Sequence, residues 1–90
     1  MTNYQDAEGN PVQVMMLSRE LAATAAAWCD GVPTEEMDPF SNATYPAVNV
    51  RTPDGAKRAS LGDYIIKKQN GDFDVQRPLQ FLTNHKLREN

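Results

Sequence analysis

Histidine and cysteine are almost missing from this 90-residue chain, where His85 and Cys29 each stand alone. One cysteine closes no intramolecular disulfide, and it cannot build a cysteine-based zinc cluster. One histidine supplies no second imidazole ligand, so His85 reads as a surface residue near the C-terminus. Aromatics are scarce too, at one Trp, three Tyr and three Phe. Each ring is therefore expected to anchor a core or an interface. No apolar run reaches the roughly 18 residues that span a bilayer. The N-terminus carries no basic region followed by an apolar segment, so no signal peptide is expected. Glycine-rich phosphate loops, dinucleotide fingerprints and metalloprotease motifs are absent. Internal repeats are absent as well. These exclusions point away from an enzyme, a cofactor and a membrane partner. They fit a reducing cytoplasm.

Basic residues are nearly missing from the first half. Residues 1–50 hold Arg19 against seven acidic residues, a net of −6. Residues 51–90 hold eight basic and five acidic residues, a net of +3. The whole chain carries −3. That weighs against a non-specific nucleic-acid or membrane coat, while leaving room for a basic patch in the second half.

Taken in order, the chain reads as one small α+β domain. Residues 1–10 are polar and read as a flexible tail. Val12 to Leu17 reads as a strand with Val12, Val14 and Met16 on one face. Its second face, Gln13, Met15 and Leu17, is mostly apolar too, so it is covered by the protein or by a partner. Ser18 is placed to cap a helix running to Cys29, whose alanines are strong helix formers. Asp30-Gly31 ends it, with Gly31 expected in the left-handed conformation. Residues 32–45 show no periodicity and read as a long loop. Ala47–Thr52 and Ala56–Ser60 read as a hairpin around Pro53-Asp54-Gly55. Tyr64–Lys67 and a strand through Phe73 and Val75 read as another, closed by a type I′ turn at Asn70-Gly71. Pro78 stops it. Leu79, Phe81 and Leu82 are expected to pack back on the sheet, and 84–90 to fray. The expected order is β-α-β-β-β-β: one helix on a small curved, mainly antiparallel sheet, with a single domain over 11–83.

The segment Gly62-Asp63-Tyr64-Ile65-Ile66-Lys67, then Gly71-Asp72-Phe73, then Arg77-Pro78 and Phe81, resembles the C-terminal signature of a large group of small phage and prophage proteins. Asn49-Val50-Arg51-Thr52-Pro53-Asp54-Gly55 resembles the hairpin that precedes that signature. Pro11-Val12-Gln13-Val14 and the alanine helix ending Trp28-Cys29-Asp30-Gly31 resemble the family's opening strand and helix. The likeness spans residues 11 to about 83. Gln76 stands where the family often has cysteine, and His85 where it usually has an aromatic. The resemblance implies a phage origin and an α+β fold. It implies no activity, cofactor or catalytic residue. Hairpin geometry by itself demands most of the motif's residue types, so it reads as a fold signature.

Function is expected on less patterned surfaces. Met15, Leu17 and Trp28, with Glu35, Glu36, Met37 and Asp38 of the acidic loop, are the candidate partner-binding residues. The partner would be a bacterial host protein, bound and modulated in the cytoplasm of the infected host. The three acidic residues lack the spacing of a calcium loop, and no metal site is expected. Cys29 sits at a helix C-terminus, where the dipole disfavours a thiolate. The alternative is a nucleic-acid patch of Lys57, Arg58, Lys67, Lys68 and Arg77, with Tyr64 and Phe73 as a stacking platform. Nucleic acid is the less expected partner, given the overall charge. Self-association through a sheet edge is the third possibility.

Overall fold

The computed structural model describes residues 2–6, 8–84 and 86–87. Among these described residues, eight strands and two helices follow in chain order: β1 (Thr2–Gln5), β2 (Pro11–Met16), α1 (Ala22–Cys29), β3 (Val32–Met37), β4 (Thr44–Thr52), β5 (Gly55–Ala59), β6 (Tyr64–Lys67), β7 (Phe73–Gln76), α2 (Pro78–Asn84) and β8 (Lys86–Leu87). They form two antiparallel sheets. One has the order β7-β6-β2-β1-β8, the other β3-β4-β5. The fold is α+β, with one main helix and one short one.

The larger sheet is covered on both faces, which explains why both faces of β2 are apolar. On one side Leu17, Ile65 and Val75 meet Ala25, Ala26 and Cys29 of α1 and Val48, Val50 and Ala59 of the smaller sheet. Met15, Trp28 and Phe73 pack at the margin of this core. On the other side Val12, Val14 and Ile66 meet Phe81 of α2, flanked by Tyr4 and Tyr64. Alternation along β6 sends Ile65 to the first core and Ile66 to the second.

Several expectations change. The N-terminal segment is not a tail: Thr2–Gln5 pairs with Val14–Pro11 of β2. Residues 32–45 are not a loop: β3 pairs with β4 from Val32↔Asn49 to Met37↔Thr44, leaving a short turn at its tip. Pro33 is tolerated because β3 is an edge strand. Pro46 lies where β4 pairs with β3 alone, since β5 pairs only from Val48 onward. Within 84–90, Lys86–Leu87 pairs with β1. His85 lies outside the described residues.

Helix α1 starts later than expected. The Leu21 N–H donates to both the Ser18 carbonyl and the Ser18 hydroxyl, which makes a turn before the helix. The left-handed residue at its end is Asp30, at φ 53°, and not Gly31. Only Phe81 of the expected trio in α2 is buried; Leu79 and Leu82 face solvent.

Asn70-Gly71 is a turn, but not of type I′. Gly71 alone has positive φ, at 92°. The Gly71 N–H donates to Lys68 O (3.0 Å) and the Lys68 N–H to Asp72 O (2.8 Å). This is the three-residue hairpin loop in which a type I turn is followed by a left-handed glycine.

The motif's acid and base meet across the end of the β6–β7 hairpin. Buried Asp63 accepts from the Ser60 N–H (2.8 Å) and pairs with Arg77 Nη1. The Asp63 backbone also accepts from the Leu17 N–H (2.8 Å), which ties this turn to the end of β2.

Candidate protein-binding surface

The β3–β4 hairpin projects beyond the part of β4 that β5 covers. Its tip, Asp38 to Ala43, is fixed by local polar chemistry. The Asp38 N–H donates to Ala43 O (2.8 Å) and the Asn42 N–H to Asp38 O (3.0 Å). The Asp38 carboxylate accepts from the Phe40 N–H (2.9 Å) and the Ser41 hydroxyl (3.0 Å). Ser41 Oγ in turn accepts from the Ala43 N–H (3.3 Å). Asn42 takes the left-handed conformation, φ 58°, which Asn tolerates better than most residues. Pro39 restricts the backbone further.

This network holds Phe40 outward, 97% exposed. Met37 beside it is 64% exposed, and Glu35 is exposed as well. Glu36, Met37, Asp38, Pro39 and Tyr45 line a shallow cleft of about 360 Å³ that reaches Leu61 at the base. Arg19, the lone cation of the first half, lies 5.6 Å over the Tyr45 ring.

The Phe40 N–H, followed by the Ser41 hydroxyl, holds the Asp38 carboxyl below its ordinary value. A carboxyl lowered in the folded state adds stability above its unfolded pKa, about 3.9, and loses it as pH falls through the lower folded value. The expected result is a tip that stays ordered to a pH below the usual Asp range and then loosens. Amide NMR signals of Phe40 to Ala43 followed from neutral to acid pH should titrate with that low midpoint. Asp38→Asn should remove the titration; an unchanged titration in that variant would refute the assignment.

The candidate residues from sequence are thus divided. Glu35, Glu36, Met37 and Asp38 share the hairpin. Leu17 is 1% exposed and belongs to the first core, so it faces no partner. Met15 is half-buried against the same core. Trp28 packs edge-on against Phe73, with ring centroids 5.3 Å apart. Phe40 was missed, since a lone aromatic in a turn has no periodic signal. The one available sign was its place between turn formers, in Asp38-Pro39-Phe40-Ser41-Asn42.

Of the five basic residues, Lys57, Arg58 and Arg77 line one cleft, and two of those three have acidic partners. Lys57 pairs with Asp74 (2.8 Å) and Arg77 with Asp63. Lys67 sits 5.8 Å over the Phe73 ring. Both platform aromatics are engaged: Tyr64 stacks on Phe81 at 4.1 Å, and Phe73 meets Trp28. Burial pushes the Asp74 carboxyl up, but the Lys57 hydrogen bond, the Val75 N–H and the charges of Lys57 and Lys68 outweigh it and leave the group lowered. Cys29 is buried, and that burial pushes its thiol up, consistent with a packing role.

No helix among the described residues is long and apolar enough to cross a membrane. No family model matches the chain, and neither does any curated protein or solved structure.

Proposed function

We propose that this chain is a non-enzymatic protein-binding module, a small phage accessory protein of the kind its C-terminal motif resembles. It docks on a bacterial host protein in the host cytoplasm through the β3–β4 hairpin and alters that protein's activity. One observation carries the reading: Phe40 stands almost fully exposed on a turn whose polar groups are spent on holding it there. Burying a Phe side chain stabilises by about 1.5–3 kcal/mol, and a pre-ordered loop loses little entropy when it docks. Aromatic anchors of this type dominate protein interfaces. The flanking Glu35, Glu36 and Asp38 select a partner pocket with a basic rim.

Affinity capture from bacterial lysate with three baits tests the proposal: the native chain, Phe40→Ser and Leu79→Ser. A host protein should bind the native chain and the Leu79 variant. Its capture should fall at least about tenfold with Phe40→Ser, the loss expected for one interface anchor. Melting temperatures should match, because the ring contributes little to the folded core. If no captured protein distinguishes Phe40→Ser from Leu79→Ser, the hairpin is not the docking surface.

A further inference from the structure

Strands β5 and β7 belong to different sheets, yet Lys57 of β5 reaches Asp74 of β7. A cleft of about 280 Å³ lies beside this junction. Lys57 and Arg58 line it from β5, Val75 from β7, and Arg77 and Gln80 from the β7–α2 connection and α2. Three cationic residues and Gln80 thus line a space with a single apolar residue in its walls.

We propose that this cleft binds one phosphate group, either free phosphate or the phosphate of a small monoester. Two carboxylates fix the direction of two cations. Asp63, buried and already holding the Ser60 N–H, takes Arg77 Nη1. A guanidinium has five N–H donors, and the Arg77 side chain is 62% exposed, so further donors are open to a ligand. Lys57 gives one of its three donors to Asp74, and that bond leads the causes that raise its pKa. Arg58 pairs with no carboxylate among the described residues. Planar guanidiniums fork two oxygens of a tetrahedral oxyanion, while a lysine adds a point charge.

Charge and size limit the ligand. Three cations against Asp63 and Asp74 leave one net positive charge, which suits one phosphate and not a chain of them. The volume falls just under the roughly 300–1,000 Å³ of drug-sized pockets. An extended nucleic-acid strand along the β6–β7 hairpin would meet Asp72 and Asp74 across from the Ile66–Lys68 segment. It would also find Tyr64 and Phe73 already packed.

The test is a titration of the 15N-labelled chain by NMR at constant ionic strength. Inorganic phosphate, phenyl phosphate, a single-stranded oligonucleotide and sodium chloride are added in separate arms. Saturable shifts from inorganic phosphate or phenyl phosphate, confined to residues 57–58 and 75–80, support the proposal. A preference between those two assigns the source as free phosphate or a monoester. Arg58→Gln and Gln80→Ala touch neither ion pair and should leave the fold intact. Arg58→Gln should weaken binding about tenfold, the loss of one charge-assisted hydrogen bond, and Gln80→Ala about threefold. Three results would overturn the proposal. One is a response no different from chloride. Another is an Arg58→Gln titration that matches the native chain. The last is tighter binding of the oligonucleotide, centred on Lys67 and Lys68.

Discussion

Phe81→Ala is expected to lower the free energy of unfolding by about 3–5 kcal/mol, the usual cost of removing a fully buried phenyl ring. Among the described side chains of α2, Phe81 is the one in a core cluster, and it is 0% exposed. Its ring stacks on Tyr64 with planes 13° apart and meets Tyr4 edge-on at 4.9 Å. A seven-residue helix has little stability of its own, so losing this ring releases α2. That exposes Val12, Val14 and Ile66, the other buried members of the second core. A 90-residue domain has on the order of 5–13 kcal/mol in total, and the loss is a large part of it. Urea unfolding followed by circular dichroism measures the change. Hydrogen exchange should locate it first in the β2–β6 ladder. The solvent-facing Leu82→Ala should stay within about 0.5 kcal/mol. A loss under 1 kcal/mol for Phe81→Ala would mean that α2 does not close this face.

The parts of the fold that a sequence makes legible are those where side-chain type and backbone geometry coincide. Gly55 and Gly71 both take positive φ, and each lies at an expected turn. The paired isoleucines of β6 and the two apolar faces of β2 carry two cores, and both patterns are visible residue by residue. Strands β1 and β3 were invisible for the opposite reason. Thr2–Gln5 and Val32–Met37 are held by ladders to β2 and β4, and backbone hydrogen bonds leave no mark on side-chain periodicity. The reading of Asn70-Gly71 as type I′ failed on register. The dipeptide is the same whether the loop has two residues or three, and only the Lys68–Asp72 pair decides. The Asp63–Arg77 pair joins residues 14 apart, so two letters of one motif became partners only once β6 and β7 were laid side by side. For the candidate site, the acidic run with Met37 could be read from composition. Phe40 could not, because its exposure depends on a hairpin that the same run conceals.

Gly31→Ala and Asp30→Gly should shift stability in opposite directions. The sequence suggests that Gly31 is present for a left-handed backbone, yet Asp30 holds that conformation, at φ 53° and ψ 37°. Gly31 is required by space. A Cβ there would lie 2.7 Å from Val48 Cγ1, 2.8 Å from Asn49 O and 2.9 Å from Cys29 Sγ. None of the three can yield. Val48 is fully buried, Cys29 is buried beside it, and the Asn49 backbone belongs to a residue paired with both Val32 and Arg58. Gly31→Ala should therefore cost about 3 kcal/mol, the upper part of the range for overpacking a core. Asp30→Gly relieves a left-handed L-residue and removes a negative charge from the negative end of α1. Greater freedom in the unfolded chain offsets part of that gain. The net should be a stabilisation of about 0.5–1 kcal/mol. Urea midpoints at unchanged slope measure both variants. If backbone conformation at Gly31 were the constraint instead, Gly31→Ala would cost only about 1 kcal/mol and Asp30→Gly would destabilise. A midpoint for Gly31→Ala close to that of the native chain would show that α1 and β4 approach less closely than the three short distances require.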